Sequence, residues 1–569
     1  MDDDPGARTL VTAVGRRVTD RATSFLGRTV RIAGHEVPMA VVAPIAVAVA
    51  LRVLFAFTDN VVGPDEAAYL ETGRNIWDGK GIVYRGHAQL HFPPLLPTIL
   101  GGLAQITPEP HHATVLFSFL TSVGLVAILG AIAWRVAGRV AGVLVLWIAA
   151  LSPGLNVHLA RGSGGSEAPY AFLIFAAALV AIGSGRWDEP PTVLRSFFVG
   201  LLVGAAYLVR PEGIALVAVF GVILAVRAVG GRIGRHIFLL ANVRKVGALA
   251  VACAAGLLLL VAPYLGFLHS HTEKWSLTAK SVDVNIEAWR ALAEQDRITR
   301  DVHLYKLSPD GLSASQERYS LSVLAREDPK AYLGIVGENT RQLYKSLISL
   351  NTTLMPGWRL FALPLLPFAF IALWRNKSRS GVLAVTGIFA LAIFTVLGFF
   401  VLNRYLPPAV AALSVLAGVG LAQLSERRRR IWVTIGLVAT VFSVMTFLEG
   451  PHGPQLVRER PELQIAARWI RGHVDPTATM MTRSTALPYY LPASRLIVPP
   501  VATIPQLHRY ARHQGVKYFV FDPTTQLWRP DLAPLLDGGD HTREGFKTLH
   551  TFHVENRTTV IFELVPLPA

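Results

Sequence analysis

Apolar runs of roughly 17 to 22 residues alternate with short polar stretches along most of this chain. Clear cases are VPMAVVAPIAVAVALRVLFAF (37–57), ATVLFSFLTSVGLVAILGAIAW (113–134) and GVLAVTGIFALAIFTVLGFFVL (381–402). A helix rises about 1.5 Å per residue, so each run is long enough to cross a hydrocarbon core of about 30 Å. The pattern predicts about eleven membrane helices, at 37–58, 113–134, 139–155, 166–184, 193–209, 212–229, 246–267, 357–374, 381–402, 404–424 and 431–449. Three long stretches lie between or after them: 59–112, 268–356 and 450–569. The last reads as a helix over PELQIAARWIRGHV followed by short strands in TMMT, RLIVPP, VKYFVFD and TVIFELV. The expected fold is therefore mainly α, polytopic in a membrane, with a small C-terminal α/β domain over 450–569.

Composition agrees: of 569 residues 52% are hydrophobic and 16% charged, against about a quarter charged in an ordinary soluble domain. The net charge of +16 could point to nucleic acid, but its placement says otherwise. Short loops on one side carry Arg135 and Arg139, Arg186 and Arg195, the stretch from Arg227 to Lys245, Arg375, Lys377 and Arg379, and Arg427 to Arg430. The tail over 1–36 adds Arg16, Arg17, Arg21, Arg28 and Arg31. This is the positive-inside pattern of a multi-pass protein in a cell (inner) membrane with a cytoplasmic N-terminal tail. It puts 59–112, 268–356 and 450–569 outside and removes nucleic acid as a partner. The polar, basic start is not expected to be a signal peptide. Cys253 is the only cysteine, so neither a disulfide framework nor a cysteine metal site can be built. No GxxxxGK[ST] motif occurs, and the short inner loops leave no room for a nucleotide-binding domain.

The stretch GPDEAAYLETGRNIWDGKG (63–81) follows the first span. Asp65, Tyr69 and Thr72 fall on one helical face, and Gly79 and Gly81 end the helix. HFPPLLPTILGGLAQIT (91–107) is short and proline-broken, the signature of a re-entrant or interfacial segment. Ionisable residues are few inside the spans, Arg52 being placed to snorkel outward. They gather instead at the outer boundary: Asp65, Glu66, His91, His158, Arg161, Glu167, Arg210, Glu212, Lys280 and Arg404. Charges at a membrane edge are costly unless paired or wet, and so mark candidate sites. Each has a plainer reading: adjacent acids after a span commonly start a helix, with Pro64 at its first position, and RPEG (210–213) could be a turn with a local ion pair.

The order of these features resembles the GT-C class of membrane glycosyltransferases, in particular bacterial relatives of the dolichyl-phosphate-mannose protein mannosyltransferases and of the lipid A aminoarabinose transferase. DEAAYLETGRNIWDGKG followed by HFPPLLP is similar to that class's first outer loop. SEAPYAFLIFAAALV (166–180), GAAYLVRPEGIALV (204–217), APYLGFLHSHTEKWSLTAK (262–280) and NRYLPPAVAAL (403–413) are similar to later segments. ARWIRGHVDPTATMMT through GVKYFVFD is similar to the soluble tail of many bacterial members. Two departures stand out: Phe92 separates His91 from the PP pair, and HTEKWSLTAK lacks a glycine expected near 273 or 274.

The resemblance implies a GT-C-like catalytic membrane domain over 37–449, a sugar donor carried on polyprenyl phosphate, and a lipid, glycan or protein acceptor beside the membrane lipids. It makes Asp65 the base that activates the acceptor hydroxyl in an inverting displacement. Glu66 then orients the acceptor or binds a cation, Glu167 is the second candidate for either role, and Tyr69 lines the sugar pocket. His91, Arg161, Arg210, Lys280 and Arg404 bind substrate, arginine being suited to the departing phosphate. No cofactor is required; Asp65 and Glu66 would allow a divalent Mg²⁺ or Mn²⁺. The alternative reading is a polytopic transporter or lipid flippase for envelope glycans, which would place polar groups nearer the midplane.

Overall fold

A computed structural model describes residues 29–56 (without 33–34), 62–152, 155–156, 159, 165–183, 191–228 and 240–348 (without 281–282, 295 and 315–317). It also describes 356–376, 380–398, 403–429, 431 and 461–567 (without 485–486, 492–493, 537–538 and 555–556). His158, Arg161, Arg186 and the expected span at 431–449, apart from Ile431, lie outside the described residues.

The membrane part is built from α1 (Met39–Ala56), α2 (Pro64–Trp77), α3 (Leu95–Leu103), α4 (Pro110–Ala137), α5 (Arg139–Leu151), α6 (Glu167–Ile182), α7 (Val193–Val209), α8 (Leu216–Ala228) and α9 (Leu240–Thr272). Next come the short α10 (Ile286–Ala293), α11 (Arg297–Leu304) and α12 (Leu321–Glu327), then α13 (Pro329–Ile348), α14 (Pro356–Asn376), α15 (Ser380–Gly398) and α16 (Pro407–Ala422). Among the described residues four helices are long and apolar enough to cross a membrane: Pro110–Ala137, Pro211–Ala228, Val243–Thr272 and Gly381–Gly398. Six shorter apolar helices accompany them: Met39–Leu54, Arg139–Leu151, Glu167–Ile182, Val193–Val209, Leu365–Arg375 and Pro407–Ala422. The chain is thus a multi-pass membrane protein. Length and composition support four spans among the described residues; a helix of 13 residues covers only about 20 Å of a 30 Å core.

Small residues set the closest packing. A Cβ on Gly73 of α2 would stand 2.1 Å from the Pro97 carbonyl oxygen, and one on Gly101 of α3 would stand 2.4 Å from the Gly73 carbonyl carbon. The two helices therefore touch backbone to backbone, and only glycine fits at the crossing. HFPPLLP leads into α3, a helix of 9 residues, too short to span and in keeping with a segment laid along the interface.

Opposite ends of the bundle differ in chemistry. At one end Arg135 donates to the Gly183 carbonyl at 2.8 Å and Arg227 donates to the Ala181 carbonyl. Both cap the C-terminus of α6, where the helix dipole favours cations. Two arginines read from the sequence only as loop charge thus also close a helix. Arg52 does not snorkel. It is fully buried and donates to Asn156 Oδ1 at 2.7 Å, since a charge inside a bundle is best compensated by a polar group on a facing helix.

Among the described residues the C-terminal part forms a five-stranded mixed sheet. Its strands are β1 (Met480–Met481), β2 (Leu496–Ile497), β3 (Tyr518–Phe521), β4 (Phe546–Val554) and β5 (Arg557–Leu564), in spatial order β4-β5-β3-β1-β2. Alternation along β3 sends Phe519 and Phe521 to one apolar cluster with Leu507, Phe546 and Phe562, and Val520 to another with Ala467, Ile470 and Ile561. Both faces are buried, one of them under the helix Pro461–His473. Buried Asp301 of α11 pairs with Arg483 at 2.7 Å and with Arg529, tying the sheet to the 268–356 stretch. The expected strands in TMMT, RLIVPP, VKYFVFD and TVIFELV are present; β4 was not foreseen, because its exposed face interrupts the apolar run.

Candidate functional site

Four chain segments far apart in sequence bring charged side chains to one end of the helix bundle, and each is placed there by a helix terminus. Gly63 is the N-cap of α2 with Pro64 at its first position, so Asp65 and Glu66 fall in the first turn, where the helix dipole favours carboxylates. Glu167 opens α6 in the same way. Arg210 follows the last residue of α7 in an extended conformation (φ −145°, ψ 127°), imposed by Pro211. Arg404 sits in the 3₁₀ turn Asn403–Tyr405, just ahead of the Pro407 start of α16.

The side chains form a continuous line of alternating charge. Arg404 Nη1 donates to Asp65 Oδ2 at 2.9 Å, and its Nε lies 3.8 Å from Glu167 Oε1. Arg210 Nη1 donates to the same Glu167 oxygen at 3.2 Å and to Ser166 Oγ at 3.3 Å. Arg210 Nε lies 3.7 Å from Glu212 Oε2, which has no hydrogen-bond partner among the described residues. Aromatic rings frame the cations: the Arg210 guanidinium sits 4.8 Å from the Tyr405 ring centroid and 5.7 Å from that of Tyr170. The Arg404 guanidinium is 5.3 Å from the Tyr405 ring. Burial acts to lower the basicity of both arginines, but Glu212 and Glu167 around Arg210, and Tyr405 followed by Asp65 and Glu167 around Arg404, prevail and hold both above the usual range, so both stay charged.

Tyr69, one turn along α2 from Asp65, is buried against Phe92, with ring centroids 4.8 Å apart. Burial first, then the nearby Asp65 and Glu167 charges, raises its phenol, which stays protonated and hydrogen-bonds Ser166. Lys280 Nζ lies 5.9 Å from the Phe92 ring centroid. His91 packs edge-on to Phe92 with centroids 4.7 Å apart. Burial and then the Lys280 charge hold its imidazole below the usual value, while Asp65 acts in the other direction. Asp65, Tyr69, His91, Glu167, Arg210, Lys280 and Arg404 therefore share one neighbourhood.

Glu66 is the exception. It is fully buried, takes the Gly63 amide at 3.2 Å, and meets His111 Nδ1 at 2.6 Å. It faces α4 and serves as the helix cap, because residue N3 of a helix is the one that can reach back to the N-cap amide. The role expected for it beside the acceptor gives way to this structural one. A shared cation site at Asp65 and Glu66 fails the same test: the two carboxylates diverge, one occupied by Arg404 and the other by the cap and His111. Among the described residues no group of three or more His, Cys, Asp or Glu side chains could hold a metal ion.

Sequence reasoning did not single out Tyr170, Tyr405, Ser166 or His111. Tyr405 and Ser166 had a signal, lying next to Arg404 and Glu167; Tyr170 meets the site, and His111 meets Glu66, only through packing. Beneath the charged line a narrow cavity of about 40 Å³ runs between α6, α8, α15 and α16. Glu167, Arg210, Glu212 and Arg404 form its charged lining, and Ile174, Leu216, Ile388, Leu391 and Val396 its apolar lining. The arrangement offers one carboxylate near solvent, two guanidinium groups able to grip phosphate oxygens, and an apolar wall below.

No protein-family model matches the chain, and the search of curated proteins found no match. Solved structures do. The crystal structure of ArnT from Cupriavidus metallidurans bound to undecaprenyl phosphate matches with a TM-score of 0.54 at 16% identity, over 92% of this chain and 97% of that one. The oligosaccharyltransferase of Archaeoglobus fulgidus in the apo form matches with a TM-score of 0.55 at 14% identity, over 88% of this chain and 72% of that one. The archaeal oligosaccharyltransferase AglB from the same organism, in complex with an inhibitory peptide and a dolichol-phosphate, matches at 0.53 and 13% identity, over 92% and 73%. This chain shares the fold of these structures.

Proposed function

We propose that the protein is a polyprenyl-phosphate-sugar-dependent glycosyltransferase of the inner membrane, working on its extracytoplasmic face. The observation that carries this reading is the Asp65–Arg404–Glu167–Arg210 line, of which Arg404, Glu167 and Arg210 line an apolar-walled cavity. In this reading 37–449 is the catalytic unit and 450–569 an extracytoplasmic unit beside it. The likeness in fold to ArnT bound to undecaprenyl phosphate, and to AglB in complex with dolichol-phosphate, supports a lipid-phosphate donor.

The chemistry follows from the residues. The acceptor hydroxyl oxygen attacks the anomeric carbon and forms the new C–O bond. The bond from that carbon to the phosphate oxygen breaks, and polyprenyl phosphate leaves with the electron pair. The hydroxyl proton passes to Asp65, whose carboxylate lies at the open edge of the site. Arg404 and Arg210 hold the charge that develops on the departing phosphate, with Lys280 and His91 on its flank. Glu167 fixes both guanidinium groups and Tyr69 walls the sugar. One base and one displacement invert the anomeric centre. The cavity of about 40 Å³ has room for a water rather than a sugar phosphate, so donor entry requires Arg404 to leave Asp65 for the phosphate. That exchange frees the base when the donor arrives.

The test is transfer by the purified protein in lipid nanodiscs from a panel of polyprenyl-phosphate sugars, reading polyprenyl phosphate released. Wild type should release it from at least one donor when acceptor is present, and Asp65→Asn should not. Lipid translocation without release would replace this reading with that of a flippase.

A further inference from the structure

α2 has a second working face. At 100° per residue, Ala67, Leu70, Glu71, Arg74, Trp77 and Asp78 lie on the side of the helix away from Asp65, Tyr69 and Thr72. They line an open cavity of about 670 Å³ together with α3 and with Arg471, Tyr489 and Tyr490 of the C-terminal part. That volume is within the roughly 300–1,000 Å³ of ligand sites.

Its chemistry is specific. Trp77 is a fixed platform: its indole Nε1–H donates to the Thr98 carbonyl at 2.8 Å, and a Cβ on Gly102 would come within 2.9 Å of the ring, so one face is backed by α3. The residue is nevertheless 56% exposed, on the side that opens into the cavity. Tyr489 and Tyr490 meet edge to face with centroids 5.0 Å apart. Tyr490 accepts from Gln464 at 3.3 Å, and Tyr489 hydrogen-bonds the His111 backbone, so both rings are held. Around the rings stand two carboxylates, Glu71 and Asp78, two guanidinium groups, Arg74 and Arg471, and the Gln105 amide. The lining's own charges cancel, and both carboxylates are already engaged, Asp78 by Lys80 at 3.0 Å and Glu71 by the Arg85 amide at 2.7 Å. Rigid aromatic faces beside planar hydrogen-bonding groups suit a ligand with apolar C–H faces and a rim of hydroxyls.

We propose that this cavity binds a neutral saccharide chain, holding the acceptor, or the glycan extending from it, against Trp77, whose position is about 18 Å along α2 from Asp65. The choice of a saccharide rests on the transferase reading above; the cavity's aromatic and balanced lining stands without it. Binding here would select acceptors by the sugars already present, separately from the donor site.

The experiment is saturation-transfer NMR and tryptophan fluorescence on the full chain in nanodiscs. The probes are maltotetraose, mannotetraose and cellotetraose, with an acidic oligogalacturonate for contrast. At least one neutral tetrasaccharide should bind, with Trp77→Ala weakening it about tenfold and the solvent-exposed Arg471→Ala a few-fold. Arg471→Ala guards against misfolding, since its side chain is exposed. The proposal is overturned if no neutral probe binds wild type, if the acidic probe binds better, or if both variants bind as wild type does. Donor turnover is read in a separate assay. Saccharide binding without any polyprenyl phosphate release would sink the transferase reading and leave this site standing, and the reverse result would do the opposite.

Discussion

Arg404 donates to Asp65 at 2.9 Å across 339 residues of sequence, joining the turn before α16 to the first turn of α2. The pair is partly open to solvent, with side chains 40% and 27% exposed. It is therefore worth at most about 1 kcal/mol to stability, and the place of Arg404 in the cavity lining gives the pair a different use. An ion pair that is cheap to break can be exchanged for one between Arg404 and a phosphate.

Asp65→Asn keeps the side-chain volume and removes the charge. Sugar transfer should fall by roughly 10²–10⁴-fold, the usual worth of a general base, while the unfolding temperature stays close to wild type. Release of polyprenyl phosphate and a thermal melt on the same preparation check both. Unchanged turnover would move the base to another carboxylate, Glu167 being the nearest in the charged line.

Arg210 and Arg404 should separate stability from activity. The Arg210 and Glu167 side chains are 12% and 7% exposed, so Arg210→Ala strands a buried carboxylate and should cost roughly 3–5 kcal/mol. Arg404→Ala should cost about 1 kcal/mol or less yet abolish measurable transfer. Lysine at 404 should rescue only in part, since it lacks the planar fork. Equal losses of stability in the two alanine variants would contradict the assignment.

Glu66→Gln should act on the fold. The change weakens the contact to His111 and the cap on Gly63, at a cost of about 1–3 kcal/mol. Donor KM and the pH profile of transfer should match wild type in the fraction that remains folded. A selective fall in kcat with no thermal shift would return Glu66 to the chemistry.

Gly101→Ala places a methyl 2.4 Å from the Gly73 carbonyl carbon. It should push α3 from α2, lower stability by about 1–3 kcal/mol or more, and reduce transfer by moving His91 and Tyr69 apart. Gly221→Ala, where an added Cβ meets nothing within 4 Å, is the matched control and should behave as wild type in a melt.

His91 carries a pH signature. Its folded-state value is depressed below the ordinary 6.5 by burial and by Lys280. The neutral ring therefore favours the folded state; that contribution is fully present above pH 6.5 and is lost as the pH falls through the lower folded value. Melts of wild type and His91→Gln from pH 8 to pH 5 should show wild type losing more on the acid side. Parallel curves would mean that the ring is unperturbed.

The sequence by itself determined the apolar helices, the charge asymmetry between the two ends, the start of α2 at Pro64 and its stop near Gly79, and the strands of the C-terminal sheet apart from β4. Each of these depends on residues close together in the chain, where period, proline, glycine and cap chemistry act directly. It also gathered Asp65, Glu167, Arg210 and Arg404 at one boundary, because a bilayer turns position along a span into depth. Tertiary structure alone decided which of them meet. Asp65 and Glu66 are neighbours in sequence, but a helix turns 100° per residue, so one faces Arg404 and the other faces His111. The inward turn of Arg52 to Asn156 and the second cavity behind Trp77 depend likewise on how separate helices rotate and pack. No single helix's pattern encodes its neighbour's rotation, since that is fixed by contacts such as the Gly73–Gly101 crossing, which exist only once both helices are in place.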